Sequence, residues 1–265
     1  MTEPITIGYW SIKGLGAPLR MMVMYSNVPL KCENYDFHEK EGGGYDNTEW
    51  FAGAKIGFKE QNCLINLPYV KDSDFLVTQT NACFTYLGRK LKMLGKDENE
   101  LIACEQLLCE IMDLRNRIVG FVYGNPQHQN AEKFFKGILS TGGSVDKLNL
   151  WLERKYINQQ PTETCTFFVG DSATAPDFHI WEIVDQIQAM INFFQITPEP
   201  LVQYPHLFAF HKNFAALPAN TRYLESRLAK LPCNAVFATM FGGTPDGKVI
   251  TAGQEIDWKH SSDLY

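Results

Sequence analysis

Near the N-terminus, an apolar run ends in two aromatic residues that carry polar atoms, Tyr9 and Trp10. A glycine-rich turn through Gly14 and Gly16 follows, and a helical pattern begins near Pro18. We therefore expect Tyr9 where a strand stops and a loop begins, which is where an α/β sheet presents polar groups to a ligand. Our central hypothesis is that the Tyr9 hydroxyl activates a bound thiol.

The energy that such activation needs is within the reach of one hydroxyl. A free thiol has a pKa of ~8.5, so only a few per cent of it is thiolate at neutral pH. Lowering that pKa by ~2 units requires ~2.7 kcal/mol of preference for the charged form. One hydrogen bond from a hydroxyl to an ion supplies ~1.5–3 kcal/mol. Taken alone, however, the motif favours a core tyrosine that only ends a strand.

The first part of the chain alternates between strand and helix patterns. Helices and strands that alternate predict a βαβ unit with a parallel strand pair. A hairpin that turns at residues 72–74 follows, and then a helix. The expected elements are strands at 4–9, 30–35, from 69 and at 75–77, a helix at 18–25, and a helix that follows residues 78–81 and runs to about 92. This order is the thioredoxin-like arrangement.

Other polar and aromatic residues mark the loops of this part. Trp50–Phe51 stands in a polar, glycine-rich loop, where composition supports equally a packing anchor and part of a ligand wall. Pro68 precedes an apolar run, so residues 66–67 form a turn ahead of a strand. Thr78 and Thr80 are both plausible caps of the helix that follows.

From residue 99 onward, apolar residues recur at helical spacing and strand patterns nearly vanish. Thr174 and Asp177 predict a capping box, and Asp185 is a candidate buried carboxylate in the helix that follows. The helices are expected at 101–122, 131–156 with an interruption at 141–144, 178–194, 204–216 and 220–230. The fold class is therefore α/β plus all-α, with a thioredoxin-like βαβ-ββα domain before a helical bundle domain. The predicted parts are a domain at 1–92, a linker at 93–98, a helical domain at 99–231 and a partly irregular C-terminal tail at 232–265.

Composition narrows the possible partners. The chain has 265 residues, 45% of them hydrophobic and 20% charged, which is ordinary for a globular protein. Its net charge of -6 argues against nucleic acid as a partner. No apolar run approaches the ~20 residues that span a bilayer, and the N-terminus lacks the pattern of a signal peptide. We therefore expect a cytoplasmic protein without a membrane span.

Cysteines and histidines do not indicate a metal or disulfide framework. The seven cysteines are odd in number and no pair has CxxC spacing, so they are expected to be small apolar fillers. The histidines show no ligand spacing, since His206 and His211 fall on different helix faces. We predict no metal site.

Five short motifs occur in one order along residues 4–243. They are Gly-Tyr-Trp-Ser-Ile-Lys-Gly-Leu (8–15), Asn-Leu-Pro-Tyr (66–69), Thr-Gln-Thr-Asn (78–81), Met112-Asp113 with Tyr123 ten residues later, and the capping box near 174. Each is weak alone, but together they resemble the cytosolic glutathione transferases, closest to the mu class. The resemblance implies a homodimeric enzyme of detoxification and glutathione metabolism. It would conjugate glutathione, as co-substrate and without a cofactor, to a hydrophobic electrophile bound in the helical domain.

By this resemblance the catalytic residues are Tyr9 and Tyr123. Tyr9 would stabilise the thiolate, and Tyr123 would face the electrophile and could donate a proton to it. The turn at Asn66, Leu67 and Pro68 resembles the family's cis-proline turn, whose backbone at Leu67 pairs with the cysteinyl amide of glutathione. The plain alternative is a proline that only starts a strand.

The two ends of glutathione are assigned in the same way. Gln79 and Thr80 lie at a helix N-terminus, where amides and the helix dipole favour the γ-glutamyl carboxylate, although simple capping by Thr80 would use the same hydroxyl. Trp10, Trp50 and a lysine would hold the glycyl end. The family spacing counted forward from Trp50 points to Lys55, whereas the same spacing counted back from the 66–68 turn points to Lys59. We prefer Lys55.

Asp113 resembles the family residue that reaches across a dimer interface to the glutamyl amine of the partner's glutathione. Its alternative is a solvated acid paired with Arg117 on the same helix. Leu64 and Ile65 stand where the family has an aromatic dimer plug. Two other functions use the same fold: a non-catalytic ligand-binding or complex-subunit protein, and a glutathione-dependent isomerase or peroxidase.

Overall fold

The N-terminal part of the chain is built on a small sheet with helices on it. The computed structural model describes residues 3–124, 130–197, 200–238 and 240. Its strands are β1 (Ile5–Trp10), β2 (Leu30–Tyr35), β3 (His38–Glu39), β4 (Tyr45–Asp46), β5 (Tyr69–Asp72) and β6 (Phe75–Thr78). Helices α1 (Gly16–Tyr25), α2 (Lys55–Phe58) and α3 (Thr80–Lys90) accompany them, and a π-helical turn (Glu49–Ala54) leads into α2.

The order of strands in the main sheet is β2-β1-β5-β6. Strands β1 and β2 run parallel, with Tyr9 opposite Asn34, so the predicted βαβ unit is confirmed. Strand β5 lies antiparallel to β1, and β6 returns antiparallel to β5, as the hairpin predicted. Strands β3 and β4 form a separate two-stranded ribbon inside the polar loop.

The rest of the described chain is mainly helical. Its α-helices are α4 (Glu98–Val122), α5 (Ala131–Ile138), α6 (Ser144–Lys155), α7 (Pro161–Thr164), α8 (Ala175–Phe193), α9 (Pro205–Ala215) and α10 (Pro218–Glu225). Short 3₁₀ turns occupy Pro200–Gln203 and Arg227–Lys230. The pattern over 131–156 forms two helices, divided at the predicted interruption. The single helix expected over 220–230 is wrong, because extended backbone at Ser226 ends α10.

Helix α8 is the centre of the molecule and contacts α1, α3, α4 and α9. Its capping box is present as predicted. The buried Asp177 carboxylate accepts hydrogen bonds of 2.7 Å from the Thr174 amide, the Thr174 hydroxyl and the Phe168 amide. Because α1 packs on both the sheet and α8, one buried apolar core continues from the sheet into the helices. The fold class predicted from the sequence is therefore confirmed.

All seven cysteines are free. Five of them are buried, as expected of apolar fillers, but Cys63 and Cys109 are exposed, so that expectation is wrong for these two. Within the described ranges, no three His, Cys, Asp or Glu side chains lie together as a metal site would require. A search of the described helices finds none with the length and apolar character to cross a membrane. Residues 241–265, most of the predicted tail, lie outside the described residues.

Candidate active site

Tyr9 is buried one residue before the end of β1, with 4% of its surface exposed. Its ring lies against the following turn so closely that a Cβ on Gly14 would come within 2.8 Å of the hydroxyl oxygen. A Cβ on Gly16 would meet the Tyr9 side chain at 2.8 Å. Both glycines are therefore required by the approach of the turn. Within the described residues the Tyr9 hydroxyl has no hydrogen-bond partner, so it is available to a ligand.

Arg20 holds this turn from beneath, a role that the sequence analysis missed. Its guanidinium is fully buried and donates to the carbonyl of Ile12 at 2.9 Å and to that of Trp10 at 3.1 Å. A further bond of 2.7 Å reaches the Asn34 side chain on β2. A single charge inside the apolar helix pattern of α1 was the available signal, since a buried guanidinium requires carbonyl or carboxylate partners.

The turn before β5 offers an open backbone edge. The Leu67–Pro68 peptide bond is cis, as the resemblance implied. Thr78 fastens the turn: its buried hydroxyl donates to the Asn66 carbonyl at 2.7 Å and accepts from the Asn66 amide at 3.1 Å. The half-buried Leu67 packs on the Tyr9 cluster, and among the described residues its own N–H and C=O have no partner. These two groups can pair with a bound peptide as a strand edge would.

The predicted caps of α3 are wrong. Its N-cap residue is Gln79, which has φ of +71°, and no side chain caps the helix. Thr80 is the first helical residue, and Thr78 instead ends β6 and fastens the 66–68 turn. Because no side chain satisfies the first amides of α3, the helix N-terminus is open to an anion such as a carboxylate.

Trp50 is fully buried and is a packing anchor, one of the two predicted roles, whereas Phe51 beside it is half exposed. The indole N–H of Trp50 is buried and has no hydrogen-bond partner in the described part of the chain. The ammonium of Lys55 lies 5.8 Å from the centre of the Trp50 ring system and 5.1 Å from that of Phe51. Lys59 is exposed just after α2. The geometry therefore favours Lys55 over Lys59 as the cation near Trp50.

Tyr123 caps the C-terminal end of α4 and meets a segment that the sequence analysis left without structure. We call this segment, residues 231–238, the strap. The Ala235 amide donates to the Tyr123 hydroxyl at 2.7 Å, and the Phe237 ring lies 5.7 Å from that of Tyr123. Burial raises the pKa of Tyr123 to about 12, to which the nearby Tyr9 contributes. Tyr123 is therefore protonated at neutral pH and can act as a donor.

Aromatic side chains join the strap to the N-terminal part. Phe237 contacts Phe37 and Tyr45, with ring centres 5.1 Å and 5.5 Å apart. Phe37 in turn lies 4.2 Å from Trp10, beside Tyr9. The strap thus lies between Tyr123 and the aromatic side chains beside Tyr9. A lone phenylalanine, in a stretch without helical or strand periodicity, was the only sequence signal for the strap.

Asp113 and its neighbour Met112 face different surroundings. Met112 packs on the Tyr9 cluster. Asp113 is exposed and lines a groove of about 510 Å³ between α4 and α6, together with Glu110 and Lys147. Asp113 is an exposed helix acid, as that alternative predicted, but in the described chain no ion pair joins it to Arg117. The role of Asp113 at a dimer interface stays a prediction.

Taken together, the site has a tyrosine hydroxyl, an open backbone edge, an uncapped helix N-terminus and a buried N–H donor with a cation near it. This set fits an extended peptide-like molecule with a carboxylate at each end and a group that becomes negative near Tyr9. The second tyrosine, Tyr123, lies near Tyr9 and belongs to the helical part.

Comparisons with known proteins identify the family of the chain. The family model of the glutathione S-transferase C-terminal domain matches residues 112–227. Glutathione S-transferase Mu 6 of Mus musculus is 30% identical over 223 residues, which cover 84% of this chain and 91% of that protein. Glutathione S-transferase Mu 1 of Oryctolagus cuniculus is 29% identical over 241 residues, 90% of this chain and 99% of that protein. The crystal structure of the glutathione S-transferase Blo t 8 has a TM-score of 0.66 and 25% identity, and the match covers 90% of this chain and 100% of that one. The chain therefore belongs to the glutathione S-transferase family, as a mu-like member.

Proposed function

We propose that this protein conjugates glutathione to hydrophobic electrophiles through a thiolate that the Tyr9 hydroxyl stabilises. The observation that carries the proposal is the position of that hydroxyl. It is buried at the end of β1, has no partner among the described residues, and belongs to one apolar cluster with Leu67, whose backbone edge is open. A thiol on a peptide paired with Leu67 would lie near the hydroxyl.

The remaining groups suit the two ends of glutathione. The γ-glutamyl carboxylate would bind the open N-terminus of α3 at Gln79 and Thr80. The glycyl carboxylate would lie toward Lys55, with Trp10 and the buried N–H of Trp50 beside it. A buried donor without an acceptor is costly, so a ligand oxygen there would remove that cost.

The reaction then needs two steps at sulfur. The thiol loses its proton to solvent, and the thiolate remains because Tyr9 donates a hydrogen bond to it. The sulfur attacks an electrophilic carbon; a carbon–sulfur bond forms and the bond to the leaving atom breaks. With an aryl halide the halide departs. With an epoxide the ring oxygen takes a proton from Tyr123, whose pKa of about 12 keeps that proton available.

The substitution Tyr9→Phe tests the proposal because it removes only the hydroxyl. We expect kcat/KM with an aryl halide to fall about 10- to 150-fold, the equivalent of ~1.5–3 kcal/mol. The pKa of the bound thiol, followed by thiolate absorbance, should rise by about one to two units. The control is Tyr156→Phe, which removes a hydroxyl that bonds the Phe167 carbonyl in the helical part. Unchanged turnover and thiol pKa in Tyr9→Phe would show that Tyr9 has no such role.

A further inference from the structure

A buried lysine ties the turn after Tyr9 to the central helix. The side chain of Lys13 is 7% exposed, and its ammonium lies 2.8 Å from an Asp185 carboxylate oxygen and 3.5 Å from one of Glu182, both on α8. Glu182 is fully buried, whereas Asp185 is 33% exposed, so the predicted buried carboxylate is only partly buried. Asp185 also lies 3.5 Å from the His211 imidazole.

These ionic groups carry a cost that packing alone would avoid. Removing an ammonium and a carboxylate from water is costly, and their pairing offsets that cost only in good geometry. Burial lowers the pKa of Lys13, but Glu182 and Asp185 outweigh burial and raise it, so the lysine stays charged. The apolar core already joins the sheet to α8 without this cluster. The cluster therefore calls for a role beyond holding the two parts together.

The backbone beside this lysine holds the strap. The amide of Lys13 donates to the Pro232 carbonyl at 2.7 Å, and the amide of Gly14 donates to the Cys233 carbonyl at 3.2 Å. The strap then continues to Ala235, whose amide donates to the Tyr123 hydroxyl. A continuous set of contacts thus runs from α8 through the turn and the strap to Tyr123.

The bond from Ala235 decides where the proton of Tyr123 can point. A phenol hydroxyl that accepts on one side keeps its own O–H free to donate in another direction. An amide fixed at 2.7 Å therefore limits the rotation of the O–H and leaves it for a bound electrophile. If the strap leaves, Tyr123 loses this constraint.

We propose that Lys13 is a positioning residue: its ion pairs with α8 hold the turn on which the strap docks, and the docked strap orients the Tyr123 hydroxyl. The kinetic consequence rests on the function proposed above, whereas the docking of the strap does not. Lys13 contacts α8 and acts through Tyr123.

The test uses the full chain with Lys13→Met, which keeps the length of the side chain and removes its charge. Hydrogen exchange of the peptide that spans residues 231–238 should become roughly tenfold faster without any ligand. Turnover of an epoxide should fall about fivefold or more in kcat, with KM for glutathione within about twofold. Lys13→Arg should restore both properties. Lys96→Met, which removes an exposed pair with Glu100, is the matched control and should change neither.

A double-mutant cycle separates this role from a merely structural one. In a Tyr123→Phe background, Lys13→Met should leave kcat unchanged, because the hydroxyl that the strap orients is gone. An equal loss of kcat in both backgrounds, or unaltered exchange of the strap, would overturn the proposal. If Lys13→Met does not fold, Asp185→Asn keeps the Glu182 pair and should speed strap exchange to a smaller extent; exchange at the wild-type rate would also overturn it. Absence of transferase activity in the wild type would contradict the proposed function, whereas strap exchange would still test the role of Lys13.

Discussion

The candidate site has an N-terminal wall, formed by Tyr9 with its turn and by the 66–68 turn, and a helical wall, formed by Tyr123 and the strap. These two walls are held in different ways. On the N-terminal wall, hydrogen bonds join residues that are near in sequence: Arg20 reaches Ile12 over 8 positions, and Thr78 reaches Asn66 over 12. On the helical wall the partners are distant. The strap amide and Tyr123 are 112 positions apart, and Lys13 is 172 positions from Asp185.

This difference separates local from global effects of mutation. The 66–68 turn, which short-range bonds hold, keeps its shape as long as its own residues are intact. A wall that distant elements assemble depends on the packing of α8 and on the strap, so changes far from the site reach it. Three substitutions, from the largest expected effect to the smallest, examine this contrast.

His179 tests whether the packing between α8 and α3 is dry. It is fully buried on α8, stacks on Phe84 at 4.9 Å, and neither ring nitrogen has a hydrogen-bond partner in the described chain. Burial, with a contribution from Arg115, lowers its pKa to about 3. Since the unfolded pKa is ~6.5, the unfolded state binds the proton first, and stability is lost as pH falls from ~6.5 toward 3, by up to ~5 kcal/mol.

In His179→Leu this contribution disappears, so its free energy of unfolding should fall less than that of the wild type between pH 7 and pH 4. Urea unfolding at several pH values measures the difference. The control is His38→Leu, since His38 is exposed on β3. Parallel pH curves for the wild type and His179→Leu would mean that water reaches the imidazole in the folded state.

Thr78→Val tests the N-terminal wall with a change of similar shape. It removes the hydroxyl that bonds the Asn66 amide and carbonyl, and unsatisfied groups of this kind cost ~1–3 kcal/mol. We expect the Kd for glutathione, measured by calorimetry, to rise about 5- to 150-fold, while strap exchange stays unchanged. Thr164→Val, at a hydroxyl that bonds the Gln160 carbonyl on α7, is the control. A wild-type Kd would show that the turn keeps its shape without the clamp.

Phe237→Ala tests the strap with the smallest change. Each aromatic pair that Phe237 makes is worth ~0.5–1.5 kcal/mol, and a bound aromatic electrophile would add another. We expect KM for an aromatic electrophile to rise about two- to twelvefold, with KM for glutathione unchanged. Phe193→Ala removes a phenylalanine of equal exposure at the end of α8 and serves as the control. An equal rise in KM for glutathione would show that Phe237 also acts on the glutathione site, which contradicts its assignment to the helical wall.

Much of the N-terminal wall was predictable because its signals are local. The strand at Leu30–Tyr35 and the start of β5 at Tyr69 fall where the pattern predicted them. The caps of α3 were not predictable, because a threonine before a helix can cap it or turn elsewhere. Thr78 bonds the 66–68 turn instead, across the sheet.

What the sequence by itself determined is the order of elements, the capping box of α8 and the motifs that mark the family. These depend on the period of apolar residues and on side chains a few positions apart. Only the tertiary structure decided the partner of Lys13, the course of the strap and the surroundings of Tyr123. No local pattern specifies these contacts, because each joins segments more than a hundred residues apart that meet only when α8 is packed.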